Sequence, residues 1–349
     1  MNKTVFKQSD SSIIQKSGGK MDRLTQISYG IISVMAIFGN TLTIVMFVVE
    51  RQLLKKSYNV LIMFLAISDL LTAVNILINP FYVLGDAFPY PQNPILGEIF
   101  CRFIYNRMLV YQLIVFSVYI TLVLTAERWF AVVRPLQYNH AFSVKKVLGY
   151  ITLSWAWSFL LTLKRVIDYS FNPSVNETCF RKDSVVSTVN TAWYATQVVL
   201  KMVIPCVAMV GLYIHMTLKT IHSPTACAES KAKLKARLTR MVIVASCTLI
   251  ALYLPNQIVF LLIFMGKTEL DKPLHTLTSF LTFMTTCVNP FIYGLTNKNY
   301  QQRYWRILSA ICRRLTRANR ARVKDLEAEE GLRLRRVNSH SEESPQNNE

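Results

Sequence analysis

The sequence predicts an all-α membrane protein, a seven-transmembrane helix bundle followed by a short amphipathic surface helix. Three observations predict it. Apolar residues come in blocks rather than in alternation, with 52% of the chain hydrophobic and 17% charged, where soluble domains run to about 25% charged. Seven blocks are long enough for a hydrocarbon core that takes roughly 20 apolar helical residues to cross. The 39 Lys and Arg, against 20 Asp and Glu, collect between alternate blocks.

The first block, 27–49, holds no charge from Ile31 to Val49. The stretch before it, Met1 to Lys20, is polar and lacks the apolar h-region of a cleavable signal peptide. Block one is therefore expected to act as an uncleaved signal anchor, with 1–26 as an N-terminal segment. Blocks two and three are 58–84 and 103–126. The fourth, 147–166, is the weakest, because Lys164 and Arg165 follow its apolar run closely. Blocks five, six and seven, at 192–218, 239–265 and 274–296, complete a bundle over 27–296. In 297–312, Tyr300, Tyr304, Trp305, Ile307, Leu308 and Ile311 make an apolar stripe beside arginines, the pattern of a helix lying on a membrane surface. Cys312 at its end fits palmitoylation, the alternative being a plain free thiol. From 313 to 349 the chain is charged and poor in apolar residues, so a disordered tail is expected.

Flanking charge sets the orientation. Arg51, Lys55 and Lys56 follow block one, Arg128, Arg134, Lys145 and Lys146 block three, Lys219, Lys231 and Lys233 block five, and Lys298, Arg303 and Arg306 block seven. The other loops are nearly balanced, as with Asp86, Glu98 and Arg102. The N-terminus is thus expected outside and the tail inside. A formal net charge of +19 would suggest nucleic acid in a soluble chain. Here topology and anionic inner-leaflet lipid account for it, and no nucleic-acid partner is expected.

Two further features fall on the outer side. The acceptor sequences Asn2-Lys3-Thr4 and Asn176-Glu177-Thr178 fit glycosylation. Cys101 and Cys179 lie in a compartment that permits a disulfide, which would tie the loop before block five over the bundle; two unrelated thiols are the other reading.

Polar residues inside apolar spans are costly and tend to be functional. Each span carries one marker residue or motif, polar, aromatic or proline, in a fixed order: Asn40 in Gly-Asn-Thr, Asp69 in Leu-Ala-Ile-Ser-Asp-Leu, Glu127-Arg128-Trp129 running to Arg134-Pro135-Leu136, Trp155, Pro205 with Tyr213, Pro255 in Leu-Tyr-Leu-Pro, and Asn289-Pro290 through Tyr293. This pattern resembles the rhodopsin-like (class A) G-protein-coupled receptors over roughly residues 25–312. The resemblance implies a cell-surface receptor, not an enzyme, that binds an extracellular ligand and activates a heterotrimeric G protein.

The resemblance implies roles residue by residue. Arg128 is the switch arginine, held by Glu127 at rest and on release extending toward the G protein, Tyr213 and Tyr293, with Leu136 on the same face. Lone arginines more often snorkel to headgroups. Trp129 stands where relatives carry tyrosine. The start of span six, Lys231 to Arg237, has no acid to restrain Arg128, so appreciable basal activity is expected. Asp69 with Ser117 and Asn289 resembles the family's Na+ pocket, the one ion expected, with no other cofactor. Thr285 and Thr286 replace its usual neighbours, and a structural knot with Asn40 is the alternative. Pro205, Pro255 and Pro290 kink their helices, and Tyr253 replaces the ligand-sensing tryptophan. Ser339, Ser341 and Ser344, among glutamates, resemble receptor-kinase targets that recruit arrestin.

The ligand is less legible. Phe283 stands where a light sensor has its retinal lysine, and Val110 where an amine receptor has its aspartate. Basic groups point to the outer half instead: Arg107 and Lys201, with Lys164 or Arg165 nearby, and Tyr111, Gln197, Asn256, Gln257 and Phe260 to line the same cavity. The expected ligand is a peptide or another anionic, carboxylate-bearing molecule, or alternatively a small lipid or carboxylate metabolite. Lys201 pairing internally or facing headgroups is the competing reading. Cys101 also lies two residues further from Arg128 than in relatives, which implies an extended or bulged outer end of span three. A transporter is the reading from another class, but the internal repeats transporters often show are absent.

Overall fold

The helices carry apolar residues on their outer faces as well as in the core. The first span, Arg23–Val49, buries Ser33, Asn40 and Thr43 beside Tyr29, Ala36 and Gly39, while Leu24, Ile27, Ile31, Val34 and Phe38 face outward. A contiguous apolar row of this length is a lipid-facing surface. The computed structural model describes residues 23–84, 91–171, 179–181, 188–222, 229–268 and 273–342. Asn2, Asn176 and Ser344 lie outside the described residues.

Among the described residues, six helices are long and apolar enough to cross a membrane: Arg23–Val49, Ser57–Ile78, Met108–Val133, Val144–Asp168, Thr191–Lys219 and Ala236–Phe264. The seventh, Pro273–Thr296, is more polar because Thr278, Ser279, Thr282 and Thr286 line its buried side. Together they form the seven-helix bundle, with span three at its centre against spans two, four, five and six, and span one closing on span seven.

The helix ends differ from the apolar blocks for identifiable reasons. Span two stops at Ile78 rather than 84, because a residue before proline is pushed out of the helical region and Asn79 before Pro80 is extended, with φ −79° and ψ 128°. Span three starts at Met108 rather than 103 and continues past 126 to Val133. Arg134, before Pro135, ends it at φ −130° and ψ 61°. At its other end the Asn106 carboxamide oxygen accepts from the Met108 N–H at 2.8 Å, satisfying one of the first helical donors.

Among the described residues, three wide π turns interrupt the helices, at Pro80–Leu84, Phe100–Tyr105 and Val199–Val203. The second one, followed by Arg107 at φ 62°, is the bulge implied by the Cys101 spacing. The third immediately precedes Pro205. A proline clashes with the carbonyl four residues back, and a turn with one extra residue relieves that clash.

At the same end, strands β1 (Tyr169–Phe171) and β2 (Cys179–Arg181) form an antiparallel hairpin with Ser170 opposite Phe180. A disulfide joins Cys179 to Cys101. The helix Pro94–Ile99, capped by Asn93, packs beneath the hairpin so closely that a Cβ at Gly97 would lie 2.6 Å from the Phe171 ring.

The chain divides into two units, the bundle through Lys298 and a segment from Asn299. In the second, the helix Lys298–Glu342 runs past residue 312, and Ser339 and Ser341 fall in its last turns. Between 313 and 330 the sequence has no Gly or Pro and is rich in Arg, Ala, Leu and Glu, all strong helix formers. The disorder expected from 313 was read from low hydrophobicity, which does not oppose local helix formation.

Candidate functional site

Polar residues gather at three levels of the bundle: the end away from the disulfide, the middle, and the disulfide end. At the first, Glu127 is fully buried and forms a two-pronged ion pair with the Arg128 guanidinium. Tyr138, on the short helix Pro135–Ala141, also donates its phenol hydrogen to Glu127. Burial and then the adjacent Glu127 charge push the Tyr138 phenol above its ordinary range. The guanidinium lies 4.5 Å over the Tyr58 ring. Tyr213 is elsewhere, donating to the Val242 carbonyl at 3.1 Å and touching the hydroxyls of Ser246 at 2.8 Å and Thr125 at 3.0 Å. Tyr293 is buried in span seven, whereas Leu136 is 98% exposed. Trp129 donates its indole N–H to His215 Nδ1 at 2.8 Å, a link from span three to span five.

In the middle, Asp69 accepts from Asn289 at 2.8 Å and from Ser117 at 3.3 Å, and Ser117 also reaches the Ser68 hydroxyl at 3.0 Å. The carboxylate is buried, and no Lys or Arg pairs with it among the described residues. A buried carboxylate with no cationic partner and the Ser117 and Ser68 hydroxyls at hand offers the oxygen ligands that a small hard cation takes. Asn40 serves a different joint: its amide donates to the Ala36 and Thr286 carbonyls at 2.9 and 2.8 Å, tying span one to span seven. Thr285 and Thr286 spend their hydroxyls on their own helix.

At the disulfide end a cleft of about 430 Å³, counting space open to solvent, is lined by Tyr111, Arg165, Gln197, Lys201, Tyr253, Gln257 and Phe260. All seven are residues singled out from the sequence. Tyr194, Val198, Leu261 and Phe264 complete the wall with Val115; reasoning from polar interruptions passed over these apolar and aromatic residues. Arg165 and Lys201 both line the cleft, and Arg165 lies 3.9 Å over the Tyr111 ring. The wide turn at Val199–Val203 carries Lys201.

Five other expected pocket residues sit elsewhere. Lys164 forms an ion pair with Asp168 at 2.6 Å, one turn along its own helix. Asn256 donates to Thr282 at 3.0 Å. Val110 and Phe283 belong to the apolar core, where Phe283 meets Tyr29 and Tyr82 edge to face at 5.5 and 4.9 Å. Arg107 lies 4.3 Å over Phe81, on the first wide turn.

Outside the spans, Glu98 bonds to Arg102 and Ser170 at 2.7 and 2.9 Å. Against the cost of burial, these bonds and one from the Phe171 backbone hold its carboxyl below the ordinary range.

A sequence profile described as "7 transmembrane receptor (rhodopsin family)" matches residues 39–293. Relatives include the N-arachidonyl glycine receptor of Homo sapiens, 22% identical over 79% of this chain and 82% of its own length. The melatonin receptor type 1B of Rattus norvegicus is 22% identical over 78% and 75%, and the allatostatin-A receptor of Bombyx mori 25% over 82% and 80%. The matched profile takes in all three polar levels, from Asn40 to Tyr293, and with a seven-helix bundle around them this chain belongs to the rhodopsin family of seven-transmembrane receptors.

Proposed function

We propose that the chain is a plasma-membrane receptor, N-terminus outside, that binds an anionic ligand in the disulfide-end cleft and activates a heterotrimeric G protein at the Arg128 end. The observation that carries the ligand class is the meeting of Arg165 and Lys201 in one aromatic cleft whose lining, among the described residues, includes no acid. Two cations in a low-dielectric site repel, and a ligand carboxylate relieves that repulsion as it binds. Relatives named for peptides and for N-arachidonyl glycine keep both a peptide and a small lipid acid in view.

Coupling follows from the opposite end. Glu127 and Tyr138 hold Arg128 sideways over Tyr58, and outward motion of span six would free it for the G protein, beside the exposed Leu136. Asp69, Ser117 and Ser68 would hold a sodium ion, whose charge would balance the carboxylate in the resting bundle. Glycosylation at Asn2 and Asn176, palmitoylation at Cys312, and kinase and arrestin action at Ser339, Ser341 and Ser344 belong to the same reading.

The test is a cell-based G-protein activation screen against peptide and carboxylate libraries, repeated with Lys201→Ala, Arg165→Ala and Arg107→Ala. Loss of potency for an acidic agonist in the first two variants is expected. An agonist indifferent to all three would remove the anionic cleft. Ion or solute flux in reconstituted protein, without ligand-dependent nucleotide exchange on a G protein, would favour a transporter.

A further inference from the structure

Gln197 brings a buried, unpaired acceptor to the cleft. It is 5% exposed, it lines the cleft, and its side-chain oxygen accepts no hydrogen bond. Buried amide oxygens are nearly always paired. The cleft holds side-chain donors, Lys201, Arg165, Tyr253 and Gln257 among them, but none lies within hydrogen-bond distance of this oxygen. Lys201 follows one turn later on the same span, and Arg165 lines the same cleft. An unfilled acceptor beside two cations calls for a ligand that carries an N–H donor next to an anion.

We propose that the cleft reads an acyl amino acid unit, –CO–NH–CHR–COO⁻, with Lys201 and Arg165 taking the carboxylate and Gln197 accepting from the adjacent amide N–H. This rests on the reading of the cleft as an anionic site and adds to it a second recognition group. The stacked pair Tyr194 and Phe264, with ring centroids 3.5 Å apart, and Phe260 form the apolar wall for the R group or acyl chain. Arg165 is held over Tyr111 at 3.9 Å, which fixes its guanidinium in place and limits the freedom lost when the carboxylate docks. The unit has two sources, the free C-terminus of a peptide and an amino acid acylated by a fatty acid.

Two probes represent them: an acetylated tripeptide ending in phenylalanine and N-dodecanoyl phenylalanine. Each is compared with its carboxamide, which removes the anion, and with its ester isostere, in which oxygen replaces the amide N–H. Binding is read from the rise in unfolding temperature of the full-length receptor in detergent, converted to an apparent Kd. At least one parent probe should bind, and both its carboxamide and its ester should bind about tenfold or more weaker. In Gln197→Leu the ester should lose nothing relative to its parent, and in Lys201→Met, where Arg165 remains, the deficit of the carboxamide should shrink. The ester comparison in the unmodified receptor requires no variant to fold. If the carboxamide loses affinity but the ester does not, the acyl amino acid is overturned while the anionic cleft stands. If the carboxamide binds as well as the acid, both fall. Failure of both parent probes to bind overturns the acyl amino acid. The stronger of the two parents identifies the source.

Discussion

At the scale of single residues, the arrangement around Glu127 sets what a mutation should do. Arg128 has two restraints, the carboxylate beside it and, through that carboxylate, the Tyr138 phenol. Tyr138→Phe deletes one hydrogen bond to a buried charge, a loss of about 1.5–3 kcal/mol. Ligand-free signalling should rise severalfold in a nucleotide-exchange assay, with ligand affinity little changed. Unaltered basal exchange would mean that Tyr138 does not restrain the switch. The role of Glu127 was legible because an acid–arginine pair at a span end has few other uses. Tyr138 was not, since its contact spans eleven residues and depends on how Arg134 and Pro135 turn the chain. The same contrast holds in the cleft. Lys201 and Gln197 declared themselves as polar residues in an apolar run, whereas the diversion of Lys164 to Asp168 depends on the helix running on to Asp168.

At the scale of elements, the sequence showed the spans and hid their irregularities. Apolar length is read directly, but a wide turn leaves no compositional mark. Only the extra distance from Cys101 to Arg128 pointed to one of the three, because a disulfide partner and a switch residue fix two points on one helix. The hairpin followed the same logic: Tyr169 to Phe171 and Cys179 to Arg181 are too short to announce strands. Their pairing depends on the bond to Cys101 and on the Glu98 contacts to Arg102 and Ser170. Cys101→Ser should therefore lower stability by about 2–4 kcal/mol, measured as a fall in the unfolding temperature of the detergent-solubilised receptor. Acid should loosen the same hairpin. Glu98 has a depressed pKa when folded, so its contribution is present above the ordinary carboxylate pKa of 4.5 and lost as pH falls below it. In Cys101→Ser, hydrogen exchange in the hairpin should quicken on acidification through that range, after correction for intrinsic rates, more than in Cys101→Ser with Glu98→Gln. Equal acceleration in the two would count against the role of Glu98.

At the scale of the whole molecule, the three polar levels lie on one column, with span three common to all of them through Tyr111, Ser117 and Arg128. A signal between the ends has to pass the Asp69 level. Nothing in the composition revealed this alignment, because it depends on which face each helix turns inward. One contact made elsewhere bears on it. A Cβ at Gly39 would sit 3.0 Å from the Pro290 ring, so span one rests on the kink of span seven. The missing side chain thus acts as clearance in a mechanical joint. Proline rings yield little, so Gly39→Ala works as a shim that strains this particular packing by about 1 kcal/mol. That shifts a two-state balance about fivefold from a site that touches neither ligand nor G protein. The joint's tolerance can be read as a change in ligand-free exchange with the cleft residues untouched, and a methyl group with no effect would show that the kink is not where the two states differ.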